Sequence, residues 1–396
     1  MSQPIGDEFI ADAARVLDRD PADGVPVWSP GRINLIGDHI DYSGGFVMPM
    51  AIDRGTRGVV FARTDGELRG YSANFSSDGV VTASMDDLAF AQSRGWFNYI
   101  VSIVWALESG NLDAGRGFDI YLDGDIPNGA GLSSSASVEM AIAVALNDLG
   151  QLGLEPRDLA LLGQRAENEY IGVASGIMDQ LAIAAGVEGH ALLMDCEHVT
   201  TEPVPMNREL ATVVVTNTNQ RRSLAGSEYN DRRAAVEQGA AIIGEVRGTP
   251  LAQPVDATLA DLAAAEPQLR AAGVYPFIKH TITEQARVIA AAQALRSDDI
   301  VAFGELMRGS HESLAQDFKV TSPQLDALVE SAWATPGVIG ARMTGAGFGG
   351  CSINLIEPGA VETAVPQILE SYRCATGITA TAFAVTAGAG ARVLSP

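Results

Sequence analysis

Lysine is nearly absent from this chain. Lys279 and Lys319 are the only two in 396 residues, so almost every cation is an arginine. That excludes two common grips on a nucleotide. A Walker A loop needs Gly-Lys-Ser/Thr, and neither lysine has that setting. A protein kinase needs a lysine on an early strand, and both lysines fall late, in PFIKH and DFKV. Cysteine is scarce as well: Cys196, Cys351 and Cys374 lie far apart with no C-x-x-C. An odd count without a framework suits a reducing cytosol. The five histidines (His39, His190, His198, His280 and His311) make no paired zinc spacing. No run of eighteen apolar residues appears, so no transmembrane helix is expected. The opening MSQPIGDEFIADAARVLDRD is acidic and helix-like rather than a basic head on an apolar segment. Positive charge is short overall, with 26 Lys+Arg against 49 Asp+Glu and a net charge of −23. Phosphate backbones and acidic lipid repel such a polyanion, which weighs against nucleic-acid and membrane-surface roles. The expectation is a cytoplasmic protein that takes a small molecule and shows no obligate protein partner.

Apolar residues are plentiful at 47%, enough for a well-buried core. At about 150 residues per domain, the length favours two domains. After a first helix, VPVWSPGRINLIG, GGFVMPMAI and RGVVFARTDGELRGYSANF read as strands, the last with a turn at Thr64-Asp65-Gly66. A helix follows from Trp96 to about Gly110, then the strand GFDIYLDGDIP. The next helix, about Ser134–Leu149, carries Val138, Ala141, Ile142, Ala145 and Leu146 at 3.6-residue spacing. Another starts at Pro156 and runs to about Ile171. From about residue 206 the pattern restarts with the strand LATVVVTN, helices over 223–245, 256–265, 280–295 and 297–317, and two last strands in CSINLIE and ITATAFAVT. This mixed order predicts an α+β protein divided near TTEPVPMN into 1–205 and 206–396.

Several segments carry chemistry. GDIPNGAGLSSSASVEMA (124–141) runs from a strand through glycines and three serines into a helix. Either it is an ordinary glycine turn with a serine N-cap, or it is a lysine-free anion cradle of backbone N–H groups and a helix N-terminus. Arg32, Asp38, His39 and Asp41 crowd into ten residues before Gly44-Gly45. Such a set suits a solvated loop, a metal, or the hydroxyls of a polyol. Asp179 in GIMDQ reads as helix N-terminal support or a buried hydrogen-bond acceptor, and Glu167 in RAENEYIG as a solvated helix residue. Glycines at 345, 347, 349 and 350 mark a close backbone approach to a ligand or a strand.

Taken together, four ordered motifs resemble the GHMP kinase superfamily, and within it the galactokinases. PNGAGLSSSAS looks like the phosphate-binding motif of the superfamily. GRINLIGDHIDYSGGFVMPMAI (31–52), SGIMDQLAIAAGVEGHALLMDC (175–196) and GARMTGAGFGGC (340–351) are similar to the sugar signature, the catalytic segment and the C-terminal glycine motif of galactokinases. The likeness continues through WFNYI, RRSLAGSEYNDRR, HTITEQARV and MRGSHESLAQDF, so it covers nearly the whole chain. It implies a two-domain α+β GHMP kinase fold, with an N-terminal ribosomal-S5-domain-2-like domain, a C-terminal ferredoxin-like α/β domain and the active site between them. It implies ATP-dependent phosphorylation of the anomeric C1 hydroxyl of α-D-galactose. Asp179 would then take the hydroxyl proton, while Arg32 keeps that acid ionised and stabilises the transferred phosphoryl group. Asp38, His39, Ile40, Asp41, Gly176 and Tyr229 would hold the sugar. Gly129, Ala130, Gly131, Leu132, Ser133, Ser134 and Ser135 would cradle ATP, with Trp96 near adenine. Ser135 and Glu167 would bind Mg²⁺.

Two positions depart from the galactokinase pattern. Asp38 replaces the usual glutamate, withdrawing the carboxylate by one methylene, about 1.5 Å, or half a hydrogen bond. Ser175 replaces a cysteine. Both bear on which sugar is held more than on the reaction, so another pyranose such as N-acetylgalactosamine, or a non-catalytic sugar sensor, stays beside the leading reading.

Overall fold

The computed structural model describes residues 5–127, 130–220 and 225–394. Helix α1 (Asp7–Leu17) leads into β1 (Val25–Asn34), followed by β2 (Phe46–Val47), β3 (Pro49–Ala62), β4 (Glu67–Ser72) and β5 (Val81–Ser84). Then come α2 (Asn98–Ser109), β6 (Phe118–Gly124), α3 (Ser134–Leu149), α4 (Pro156–Arg165) and α5 (Met178–Ala184). The hairpin β7 (His190–Asp195) and β8 (Thr200–Pro205) precedes β9 (Thr212–Asn217). Helices α6 (Ala225–Arg247), α7 (Leu259–Ala264), α8 (Glu266–Ala271), α9 (Tyr275–Arg296), α10 (Ile300–Ser313) and α11 (Pro323–Trp333) follow. The chain closes with β10 (Val338–Thr344), β11 (Cys351–Ile356), α12 (Val361–Thr376), β12 (Thr381–Val385) and β13 (Arg392–Val393).

The strands form three sheets, ordered β13-β1-β3-β6-β4-β5, β10-β11-β9-β12 and β2-β7-β8. All pairings are antiparallel except β4 with β6. Helix α3 lies against β1 and β3, with Ala141, Ile142 and Ala145 fully or almost fully buried. The boundary at residue 205 falls at the end of β8, but the halves are not self-contained. β13 pairs with β1, Thr386 O accepts from Asp53 N at 3.1 Å, and one apolar core joins Ile33, Val60 and Ile142 to Val213, Val288 and Ile353.

Several elements lie outside the pattern read from the sequence. The helix beginning at Pro156 changes to a π turn over Ala166–Ile171, and the helix expected over 256–265 is the shorter α7, with α8 starting directly after it. α11, β10, α12 and the hairpin β7–β8 carry weaker local signals. α12 has Pro366 within it, and β10 runs directly into the glycine motif. Among the described residues, no helix is long and apolar enough to cross a membrane.

Candidate active site

Gly31 sits where the pairing of β1 with β3 changes register, between Pro30 and Arg32. A Cβ there would lie 2.8 Å from Ile126 Cδ1 and 2.9 Å from the Leu132 carbonyl oxygen, so the strand can run against the turn before α3 only with glycine. Such an irregularity re-aims the next side chain. Arg32, 4% exposed, donates from Nε to Asp179 Oδ1 at 2.7 Å and from Nη2 to Oδ2 at 2.8 Å. Its Nη1 donates to the Gly131 carbonyl at 2.8 Å. This is a bidentate, charge-assisted clamp that fixes both the acid and the glycine turn. The Ser133 hydroxyl also donates to Asp179 Oδ2. Ser133 occupies the N-cap position of α3 at φ 58° but makes no capping bond, so the serine N-cap reading does not hold.

The second group surrounds the loop after β1. Asp38 accepts from Arg342 and from Gly345 N, the latter at 3.2 Å. Burial raises its carboxyl above the ordinary range, and Arg342 opposes that rise. His39 stands at φ 65°. Its Nε2 lies 3.2 Å from the Ala346 carbonyl, which places the proton there, and Nδ1 accepts from the Tyr42 hydroxyl at 3.3 Å. Burial, with His280 adding to it, depresses this imidazole to about 3, so the ring is neutral. The Tyr229 ring lies 5.4 Å from His39 and 5.5 Å from Tyr42, centroid to centroid. A Cβ on Gly176 would fall 1.9 Å from Asp41 Oδ2, so only glycine lets that loop meet the acid.

Asp41 provides a pH test. Burial, then the nearby Asp179, push its carboxyl up to about 7. An acid raised from 3.8 to about 7 on folding adds stability below pH 4 that is lost as pH climbs to 7. Each unit is worth about 1.4 kcal/mol, but water in the open cavity screens the charge, leaving about 2 kcal/mol. Between pH 5 and pH 8, Asp41→Asn should therefore gain about 2 kcal/mol relative to the parent protein. Urea unfolding at both pH values measures this, and an unchanged difference would remove the argument.

The third group faces α3. Glu167, in the π turn after α4, is 9% exposed rather than solvated. Its Oε2 accepts from the Ser175 hydroxyl at 2.8 Å and from Gln180 Nε2 at 2.9 Å, and its Oε1 lies 3.5 Å from Ser135 Oγ. Burial and Asp179 raise its carboxyl. Glu139, fully buried, is raised further by burial and by Glu167.

These residues open on two cavities. One, of about 440 Å³, brings together Arg32, Asp38, His39, Asp41, Glu167, Gly176, Asp179 and Tyr229. The other, of about 290 Å³, is lined by Trp96, Phe75, Tyr99, Ser134 and Ser135, with Trp96 stacked on Phe75 at 11°. Ala130 and Leu132 turn their side chains into the core. Ile40 does so too, which corrects its reading as a sugar-contacting side chain. It is fully buried, and its carbonyl accepts from Ser43 N and Gly45 N. Gly129 lies outside the described residues.

Residues 18–61 match the galactokinase galactose-binding signature, 98–187 the GHMP kinases N-terminal domain, and 291–374 the GHMP kinases C-terminal family. A galactokinase of Exiguobacterium sibiricum is 44% identical over 92% of this chain and 93% of its own length, and one of Clostridium perfringens is 40% identical over the same shares. The chain belongs to the galactokinase family. The crystal structure of Lactococcus lactis galactokinase complexed with galactose superposes with a TM-score of 0.94 at 34% identity, covering 98% of this chain and 99% of that one. Methanococcus jannaschii mevalonate kinase, at 20% identity and a TM-score of 0.63, shares the GHMP fold over 92% of this chain and 98% of its own.

In this galactokinase-family chain, several supporting residues escaped the sequence reading. On α9, His280 Nε2 donates to the Asp38 carbonyl at 3.1 Å, Glu284 accepts from Gly37 N at 3.0 Å, and Gln285 accepts from Phe46 N at 2.8 Å. Glu284 is fully buried, which raises its carboxyl, yet Arg287 and His280 hold it at about 2. HTITEQAR sets Glu284 and Gln285 about one helical turn after His280, and the polar face of a buried helix is the signal that could have found them. Arg342 had a fainter one, as a lone charge in a buried strand.

Proposed function

We infer that this chain transfers the terminal phosphoryl group of ATP to the C1 hydroxyl of α-D-galactose, giving galactose 1-phosphate. One observation carries the reading: Asp179, gripped by the Arg32 fork, lies where the signature loop and the glycine/serine turn meet. Asp38, neutral His39, Asp41, Gly176 and Tyr229 line the same cavity and suit a sugar's hydroxyls. The cavity beside Trp96 suits adenine, and the turn from Ala130 to Ser135, with Gly129 before it, suits the phosphates at the N-terminus of α3.

Within this reading, Asp179 accepts the C1 hydroxyl proton. Asp179 already receives three hydrogen bonds, from Arg32 Nε and Nη2 and from the Ser133 hydroxyl. Phosphoryl transfer passes through a loose transition state in which positioning and charge neutralisation dominate. Arg32 supplies that charge next to the acid. Ser135 Oγ and Glu167 Oε1 are hard oxygen donors 3.5 Å apart, and Glu167 makes no ion pair among the described residues, a donor set that fits Mg²⁺. When bound, the cation would neutralise charge between the β- and γ-phosphates. We place the reaction in the cytoplasm, where ATP is supplied.

The test is incubation with Mg·ATP and a panel of free sugars, reading ADP and the sugar phosphate. The fastest ADP release and a 1-phosphate are expected with galactose. Faster turnover of another pyranose, such as N-acetylgalactosamine, would move the substrate, an outcome with a motive in Asp38 being drawn onto Arg342. Tight galactose binding with no ADP from any sugar would leave a sensor.

A further inference from the structure

The two oxygens of Glu167 are treated differently by their neighbours. Oε2 accepts two hydrogen bonds, from the Ser175 hydroxyl at 2.8 Å and from Gln180 Nε2 at 2.9 Å. Oε1 meets only the Ser135 hydroxyl, at 3.5 Å, among the described residues. The Gln180 amide donates its other N–H to Glu139 Oε2 at 3.2 Å. Glu139 lies four residues after Ser135 on α3, so both sit on one helix face. One helix thus carries the alcohol in front of Glu167 and the anchor of the amide behind it. Ser175 is itself clamped, since its N donates to Asn168 Oδ1 at 3.0 Å and its carbonyl accepts from Asn168 Nδ2 at 3.3 Å.

We propose that Ser175 and Gln180 are positioning residues that tie down Glu167 Oε2 so that Oε1 is presented, with Ser135, to a divalent cation. This rests on the cation reading given above. Partners behind a metal-binding carboxylate fix its orientation, and their loss costs roughly 10- to 100-fold in metal affinity. Serine is well chosen at 175: a hydroxyl is a short, strong donor to a carboxylate, whereas a thiol is a weak one.

Mn²⁺ is the probe. It is titrated into protein saturated with ADP and galactose, and free Mn²⁺ is read from its electron paramagnetic resonance sextet against a protein-free ADP control. Ser175→Ala should weaken Mn²⁺ binding about tenfold, and Ser175→Cys should fall between it and the parent. Gln180→Met, which keeps volume but removes the donor, should match Ser175→Ala. Metal-free ADP affinity, measured by calorimetry, should stay within about twofold in every variant because ADP alone does not need Oε1. Ser175 lines the cavity proposed for the sugar, so unchanged galactose affinity is expected of Gln180→Met, whose buried side chain does not line it. Unchanged Mn²⁺ affinity in Ser175→Ala overturns the proposal. So does an equal fall in Mn²⁺, ADP and galactose affinity, which would mark a merely structural loop. If the parent protein holds no Mn²⁺, the cation assignment itself fails and takes this inference with it.

Discussion

Arg32→Ala should cut kcat by about as much as Asp179→Ala, each by roughly 10³-fold, within the 10²–10⁴ that a general base supplies. The reason is in the number of things one guanidinium does. It holds both oxygens of Asp179 and, through Nη1, the carbonyl of Gly131 in the turn before α3. On the proposed reading, losing Asp179 removes the proton acceptor. Losing Arg32 removes positive charge near the transferred phosphoryl group, frees the acid to rotate and loosens the turn. The two variants should therefore differ in KM. Asp179→Ala should leave KM for ATP within about twofold, whereas Arg32→Ala should raise it severalfold because the turn is no longer tied. Arg32→Lys should not restore activity, since an ammonium cannot span three acceptors as a planar fork does. Steady-state kinetics over both substrates decides this, and near-normal turnover in either alanine variant would remove the mechanism.

That pair also shows what was legible in the sequence and what was not. The residue types were readable: an acid after Ile-Met, an arginine beside an acidic loop, glycines before a helix. Their meeting was not, because Arg32 and Asp179 are 147 residues apart and no local period links them. Only the family resemblance joined them. Strands such as β3 and β6 and the helix α3 followed from β-branched runs and 3.6-residue spacing, both local properties. The pairing of β13 with β1 is non-local and left no such trace. Ser133 is instructive for the opposite reason. A serine before a helix reads as an N-cap, but here the backbone is left-handed and the hydroxyl is turned to Asp179. A site thus overrode a local rule, as is expected where chemistry competes with capping. Local grounds make Glu167 a solvated helix charge, but the π turn that buries it depends on packing against α2, which no local pattern carries.

The largest effect on stability should come from Arg342→Met. Arg342 and Asp38 are an ion pair in which neither side chain is more than 2% exposed. The pair lies where two sheets meet: the Thr344 hydroxyl, two residues on in β10, accepts from Asn34 N at 2.9 Å and donates to Asn34 O at 3.0 Å. Methionine fills much of the space but removes the paired cation, leaving Asp38 with Gly345 N, Asn34 and only Arg32, already committed to Asp179, as nearby positive charge. Breaking a buried pair from one side costs about 3–5 kcal/mol, whereas replacing both partners by uncharged groups costs far less. Asp38→Asn combined with Arg342→Met should accordingly recover a good part of the loss, a coupling that a double-mutant cycle in urea isolates. Galactose affinity should not recover with it. Asp38 lines the cavity proposed for the sugar, and the amide keeps its shape but loses the charge and half its acceptors. Stability regained without affinity would mean that the buried charge is kept for the ligand, at the expense of the fold. A loss below about 1 kcal/mol in Arg342→Met, or a double variant no better than the single, would show instead that Asp38 finds other compensation when Arg342 is gone.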